Sequence, residues 1–314
     1  MKVLFTSVGR RVELMQAFRS AAERLCIHLE IYGADITETA PALKFCDHMV
    51  IVPRIRDAAY IPTLQKICRD EEMDALIPTI DTDLLLLSQH QAEFGKTKVV
   101  ISREDKIALC RDKRFTADYF HSVGLKSPSP VDDWEKYDAG YPAFIKPKDG
   151  SSSVFAYKVN NEDELKGYAT QVPDYIIQPF IEGTEYTVDI FCDFEGNPIF
   201  ITPRIRQAVR AGEVLKTQIH QDDTIIAEMK RLIEDYKPCG QITVQLIKQK
   251  TTGENYYIEI NPRFGGGAPL TIKAGADSAE MMLRLLNGEK IGYMAHAAED
   301  GAVFSRFDQS VRVK

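Results

Sequence analysis

The segment 257–270, YIEINPRFGGGAPL, carries a carboxylate (Glu259), an amide (Asn261) and a guanidinium (Arg263) at alternate positions, then three glycines and a proline. Its opening residues are β-formers, and alternate residues of a strand share one face. Glu259 and Asn261 are hard oxygen donors suited to Mg²⁺. Gln245 lies fourteen residues before Glu259. With the hairpin TVQLIKQKTTGENYYIEINPR closing near Gly253, Gln245 falls roughly opposite Glu259 and supplies a third oxygen ligand from the partner strand. Arg263, one step further along, is suited to neutralising charge on a transferring phosphoryl group. Gly265, Gly266 and Gly267 then let backbone N–H groups come close to an anionic substrate. The plain alternative, a solvated edge strand followed by a glycine loop, requires all of these features to coincide by accident.

Two further segments fit polyphosphate and nucleoside chemistry. In FIKPKDGSSSVF, Lys146 ends an apolar strand and a small-residue loop containing Ser151, Ser152 and Ser153 follows. Fixed cations and bare backbone N–H groups are what a phosphate needs, although a lysine before a Gly/Ser turn also occurs in plain hairpins. Lys113, in CRDKRF, reads by itself as an ordinary helix lysine. In YIIQPFIEGTEYTVDIF, Pro179 removes a ladder donor and breaks the strand. Backbone groups left there suit a planar polar ring, Ile181 could pack on that ring, and Glu185 could accept from a ribose hydroxyl; a β-turn with a solvated glutamate fits equally well. Two sites near the N-terminus are weaker. The turn VLFTSVGRRVELM has only Gly9 where a dinucleotide fingerprint needs three glycines. Arg10 and Arg11 therefore read first as solvated residues and second as anion ligands at a helix start. Asp81 and Asp83 follow a strand whose carboxyl end could face a ligand, but Asp81 or Thr82 reads first as a helix cap.

The elements that must position these residues fall into stretches of different grammar. The chain has 314 residues, 44% apolar and 27% charged, with a formal net charge of −7, which argues against a general nucleic-acid binder. No apolar run approaches the length of a membrane span, and the start of the chain lacks the apolar stretch of a signal peptide. Six dispersed cysteines without a C-x-x-C pair, and six dispersed histidines, read as reduced core residues and speak against a zinc site. A cytoplasmic protein is expected. Residues 1–95 alternate strand and helix, which implies a parallel sheet covered on both faces, and residues 98–102 add a strand. Residues 104–125 read as one helix closing at Gly124. After the break KSPSP the pattern changes to hairpins, including one turning at 195–197, then a helix over 224–236 and the strand pair 240–249 and 255–262.

In this order, Lys113, Lys146 with DGSSS, QPFIEGTE, Gln245 and EINPR, the chain resembles the ATP-grasp superfamily. It is most similar to the ATP-binding halves of carbamoyl phosphate synthase large subunits and to related carboxylate–amine ligases. The resemblance implies an α/β and α+β protein: a parallel-sheet domain over 1–100, then an ATP-grasp fold of two α+β subdomains over 101–183 and 184–314. It implies that Lys113, Lys146 and the loop serines Ser151, Ser152 and Ser153 meet ATP phosphates. Gln178, Phe180 and Ile181 would line the adenine pocket, Glu185 would hold the ribose, and His220 would lie near the nucleotide. Gln245, Glu259 and Asn261 would bind Mg²⁺, with Mn²⁺ as a substitute. Arg263 would face the phosphoryl group, and Arg204, Arg206 and Arg210 would meet substrate or phosphate, with Arg210 taken as catalytic. The phosphate loop is serine-rich where the synthases are glycine-rich, and one ATP unit stands where the full synthase has two. The implied activity is an ADP-forming ligation of a carboxylate to an amine through an acyl phosphate. The alternatives are phosphorylation of bicarbonate or carbamate as half of a synthase, and a nucleotide-binding regulator without turnover. Small-molecule substrates are the expected partners, without nucleic acid or membrane, and a homodimer is the assembly considered.

Overall fold

Short buried runs separated by amphipathic helices build the first hundred residues. The computed structural model describes residues 1–150 and 154–314. Strands β1 (Lys2–Thr6), β2 (Glu30–Asp35), β3 (His48–Ile51), β4 (Ala75–Pro78) and β5 (Lys98–Val99) form a parallel sheet in the order β3-β2-β1-β4-β5. Strand alternation sends Val3 and Phe5 into one core and Leu4 into another, so the sheet is buried on both faces. Helices α1 (Val12–Arg24), α2 (Tyr60–Asp70) and α3 (Leu84–Gln89) cover it.

Neither Asp81 nor Thr82 caps α3. Asp83 occupies the cap position without a side-chain bond to the helix. Its buried carboxylate instead accepts from Thr6 Oγ1 at 2.9 Å and Tyr60 Oη at 3.1 Å. Burial pushes its pKa up to about 6. The single helix expected over 104–125 is two, α4 (Glu104–Arg111) and α5 (Lys113–Ser122). Asp112 is extended, and its carboxylate accepts from the Arg114 backbone N–H at 2.9 Å. A good N-cap inside a helical pattern ended one helix and began another.

The remainder holds two antiparallel sheets. The smaller has β6 (Ala143–Pro147), β7 (Tyr157–Val159) and, after α6 (Glu162–Ala169), β8 (Tyr175–Pro179), in the order β7-β6-β8. The larger contains β9 (Gly183–Cys192), β10 (Pro198–Arg210) and β11 (Glu213–Ile219), then α7 (Asp223–Tyr236), β12 (Gln241–Gln249) and β13 (Asn255–Asn261). Helices α8 (Ala268–Lys273) and α9 (Ser278–Leu286) follow, and β14 (Val303–Ser305) completes the order β13-β12-β9-β10-β11-β14. One face of this sheet packs on α5 and α7 through Phe120, Met229, Tyr236, Val188 and Val244.

The chain does not leave the first sheet for good. Phe264, Ala268 and Met282 return to the core that contains Phe5 and Phe18, and the Phe18 and Phe264 rings meet edge to face at 5.8 Å. Among the described residues no helix is long and apolar enough to cross a membrane.

Candidate functional site

A cavity of about 820 Å³ lies between the uncovered face of the large sheet, the small sheet, and the loops at the carboxyl ends of β1 and β4. Its floor is the strand pair β12–β13. Gln245 and Glu259 are register partners, as expected from the hairpin. Reaching that arrangement required a bulge that was not foreseen. The partners run from Gln245↔Glu259 straight to Leu246↔Tyr257, so Ile258 is extra. Without it Tyr257 and Glu259 would share a face. With it Tyr257 is fully buried in the helix-side core while Ile258, Glu259 and Asn261 line the cavity.

Glu259 Oε1 accepts from Gln245 Nε2 at 2.7 Å and from Asn261 Nδ2 at 2.9 Å. Its Oε2 accepts nothing among the described residues. Gln245 Oε1 accepts from Arg206 Nη1 at 2.6 Å and Asn261 Oδ1 from Arg263 Nη2 at 3.3 Å. The three side chains present oxygen-only donors with a single charge, and a Mg²⁺ shared with a polyphosphate uses one or two carboxylates and keeps the rest of its shell for phosphate and water. The set fits such an ion through Glu259 Oε2, with the amide oxygens as additional donors. No group of three His, Cys, Asp or Glu side chains that could hold a metal by itself exists among the described residues.

Two lysines face Glu259. Lys146, at the end of β6, is 7% exposed. Burial pushes its pKa down to about 8; Glu259 acts in the opposite direction and Lys113 adds to the depression. Lys113 is the first residue of α5. Its ammonium donates to Gly150 O at 2.9 Å. Its pKa is also lowered, chiefly by burial and against the pull of Glu259. Two partly desolvated ammonium groups beside Glu259 form a place suited to a further anion. Ser151, Ser152 and Ser153 lie outside the described residues.

The guanidiniums sort into different roles. Arg263 Nη2 binds Asp81 Oδ2 at 2.5 Å, which brings the βα loop of the first sheet to the end of β13. Arg204 is 2% exposed and its Nε donates to Asp189 Oδ2 at 2.8 Å, so it belongs to a buried ion pair that borders the cavity. Arg206 holds Gln245 and the Gly212 carbonyl. Buried N–H groups of all three, Arg204 Nη1, Arg206 Nε and Arg263 Nε, have no acceptor among the described residues. Arg210, by contrast, is exposed, binds Asp308 at 3.1 Å and lies outside the cavity. The turn Ala211-Gly212, both residues having positive φ, joins β10 to β11 just after it.

The nucleoside-side expectations are met only in part. Glu185 lines the cavity with its carboxylate 3.6 Å from Arg206 Nε. Gln178, Phe180, Ile181 and His220 do not line it. The Gln178 amide donates to Pro128 O at 2.5 Å, Phe180 is covered by Lys158, whose ammonium stands 4.3 Å from the ring centre, and Ile181 is buried. His220 stands behind the wall, with Nδ1 2.8 Å from the Tyr186 hydroxyl. The apolar lining comes instead from Phe144, Pro173, Leu246, Ile247 and Ile258. One charged residue, Glu213, went unrecognised. Arg11 lines the cavity, whereas Arg10 is the solvated one, and Glu213, just after the Ala211-Gly212 turn, reaches back over the glycine loop. A charged residue following a tight turn was the available signal for Glu213.

Comparison with known proteins was made on this frame. A family model described as ATP-grasp domain matches residues 110–267, and one described as PylC-like, N-terminal domain matches residues 3–101. Acetyl-CoA carboxylase 1 of Arabidopsis thaliana is 26% identical over 146 residues, which takes in 42% of this chain and 6% of that protein's length. D-Alanine–D-alanine ligase B of Clostridium perfringens is 23% identical over 256 residues, 68% of this chain and 82% of that one. The carbamoyl phosphate synthase large chain of Haemophilus ducreyi is 24% identical over 322 residues, 90% of this chain and 29% of that one. This chain thus spans a small part of the carboxylase and the synthase it matches. Among solved structures, the biotin carboxylase domain dimer of the Hydrogenobacter thermophilus 2-oxoglutarate carboxylase, in complex with MgADP, ADP and bicarbonate, has the same fold. It superposes with a TM-score of 0.77 at 18% identity, over 96% of this chain and 73% of that one.

Proposed function

The chain belongs to the ATP-grasp family, and on that premise we propose that it is an ADP-forming carboxylate–amine ligase that uses Mg-ATP. The observation that carries this reading is the cluster of Lys113, Lys146 and Arg263 around Glu259 in a cavity that Phe144, Ile247 and Ile258 also line. Cations fixed in a partly dry site suit a polyphosphate, and an apolar slot suits a base. Phe144, Ile247 and Ile258 flank the base, Glu185 accepts from the ribose, and Lys113 and Lys146 hold the phosphates. Gln245, Glu259 and Asn261 would hold Mg²⁺, which when bound neutralises charge on the outer phosphates; Mn²⁺ suits the same donors. Arg263 stabilises the γ-phosphoryl group as a carboxylate oxygen attacks it, giving an acyl phosphate and ADP. An amine then attacks the acyl carbon, forming the C–N bond and releasing orthophosphate and a proton. The units 1–100, 101–183 and 184–314 divide this work between a substrate-side domain and the two halves of the nucleotide site. A homodimer in the cytoplasm is the setting we infer.

The cations lie around one phosphate end, so the γ-phosphoryl bond is the one expected to break. Chromatography of turnover mixtures should show ADP and orthophosphate, and hydroxylamine should trap a hydroxamate when the carboxylate is present and the amine withheld. AMP and pyrophosphate as products would overturn the reading.

Lys146 gives a pH signature. Its folded, ligand-free pKa near 8 means that the ammonium is charged below that pH and neutral above it. Phosphate favours the charged form, so binding raises the pKa and takes up a proton. Nucleotide affinity is expected to fall as pH rises through about 8, by up to about tenfold per unit until the bound-state pKa is reached. Calorimetry in buffers of different ionisation heat should detect the proton uptake, and Lys146→Met should abolish it. A pH-independent affinity across that window would remove Lys146 from the phosphate contacts.

A further inference from the structure

Two ion pairs of opposite sense line the cavity across the seam between the first sheet and the rest of the chain. Arg11 Nη1 of the first-sheet region faces Glu213 Oε1 at 3.9 Å, and Asp81 Oδ2 of that region accepts from Arg263 Nη2 at 2.5 Å. All four residues line the cavity. They share one space: beyond its burial, the Arg11 charge is opposed by Arg263 and supported by Glu213 and Asp81. Glu213 is held from outside by Arg306, 3.3 Å from Oε2, and it can approach the loop only because Gly266 is bare, since a Cβ there would come within 2.0 Å of Oε2. The Arg11–Glu213 pair is too long for a hydrogen bond, and the buried Nε of Arg263 has no acceptor among the described residues. A charge of each sign therefore faces the other across the Arg11–Glu213 gap without a direct hydrogen bond.

Charge balance selects the ligand. A simple carboxylate entering here would pair with Arg11 or Arg263 but sit against Glu213 and Asp81. A simple amine would meet the reverse conflict. A molecule carrying both signs, with no net charge, exchanges partners with the two pairs and leaves each charge beside an opposite one. Resting on the ligase reading for the presence of a substrate carboxylate here, we propose that Arg11, Asp81, Glu213 and Arg263 recognise an α-amino acid: the two guanidiniums take its carboxylate, and Glu213 and Asp81 take its ammonium. Arg11 and Glu213 thereby become specificity-determining residues.

The test is equilibrium binding with Mg²⁺ and the β,γ-imido analogue of ATP, so that turnover is not needed. The probes are the twenty proteinogenic amino acids and their D-enantiomers, each beside its des-amino acid. At least one amino acid should bind at least tenfold more tightly than its des-amino counterpart. Glu213→Gln should weaken that amino acid at least tenfold and abolish the preference over the des-amino acid, with analogue affinity changed less than twofold. Arg11→Gln, as a second variant, should weaken both probes together because it reads the carboxylate they share. Binding of no amino acid, or of the des-amino acid equally well, overturns the proposal. ADP release is scored separately: an amino acid that binds with the stated preference but supports no ADP release with any amine or carboxylate co-substrate would sink the ligase reading and leave this one standing.

Discussion

Glu259→Ala is expected to lower Mg-ATP turnover by a factor on the order of 10²–10³ or more, the scale of losing one preorganised electrostatic contact at a reacting centre. The carboxylate is the one charged group among the proposed metal donors, and it also anchors both amides through Oε1. It supports the charge of Lys113 and Lys146 as well. Removing it leaves Lys146 without the carboxylate that supports its charge and weakens the support of Lys113, so binding of the nucleotide and the chemical step should suffer together. The side chain is only partly buried and faces a cavity, so thermal stability should change little. Glu259→Gln separates charge from shape: it keeps a hydrogen-bonding oxygen but loses the anion, and should be nearly as inactive. ADP release near the wild-type rate in either variant would remove Glu259 from the reaction.

The second large effect concerns stability. Asp189 and Arg204 are 1% and 2% exposed, and Asp189 also accepts from Thr243 Oγ1 at 3.2 Å and Thr271 Oγ1 at 2.5 Å. Asp189→Ala leaves a buried guanidinium without its counter-ion, a loss of about 3–5 kcal/mol. For a chain of this size a melting temperature lower by on the order of 10 °C should follow. Asp189→Asn keeps one acceptor oxygen and the shape of the side chain, and should cost less. An unchanged urea midpoint in Asp189→Ala would mean that the pair is not structurally important. Activity should fall as well, because Arg204 Nη2 packs against the backbone of Gly267 so closely that a Cβ there would meet it at 2.4 Å.

Much of the fold was legible because the signals were local. The parallel βα units announced themselves by buried runs and amphipathic helices, and the hairpin joining β12 and β13 by its turn and alternation. Register between Gln245 and Glu259 could be counted. The bulge at Ile258 could not, because nothing in YYIEIN distinguishes an inserted residue from continued alternation. The helix break at Asp112 was readable in principle as a cap, but the apolar pattern ran through it. At the site, Lys113, Lys146, Glu185, Arg263 and the three oxygen donors line the cavity. Gln178, Phe180, Ile181 and His220 stand outside its lining, and a strand break does not disclose which side chain turns inward. Arg11 and Arg10 were indistinguishable as neighbours in sequence. Only the turn, with positive φ at Ser7 and Gly9, sends one inward and the other to solvent.

Phe264 fixes more than a hydrophobic contact. It directly follows Arg263, and its ring is locked into the core of the first sheet against Phe18, while Arg263 itself reaches Asp81. Arg263 is thereby referenced to the N-terminal sheet as well as to the end of β13. For protein engineering this means that the N-terminal region is no detachable cassette. Grafting another one would shift the aim of Arg263 unless residues equivalent to Phe18 and Asp81 travelled with it, whereas exchanging only the loop after β4 around a retained Asp81 would offer a route to altered substrate preference with the nucleotide machinery untouched.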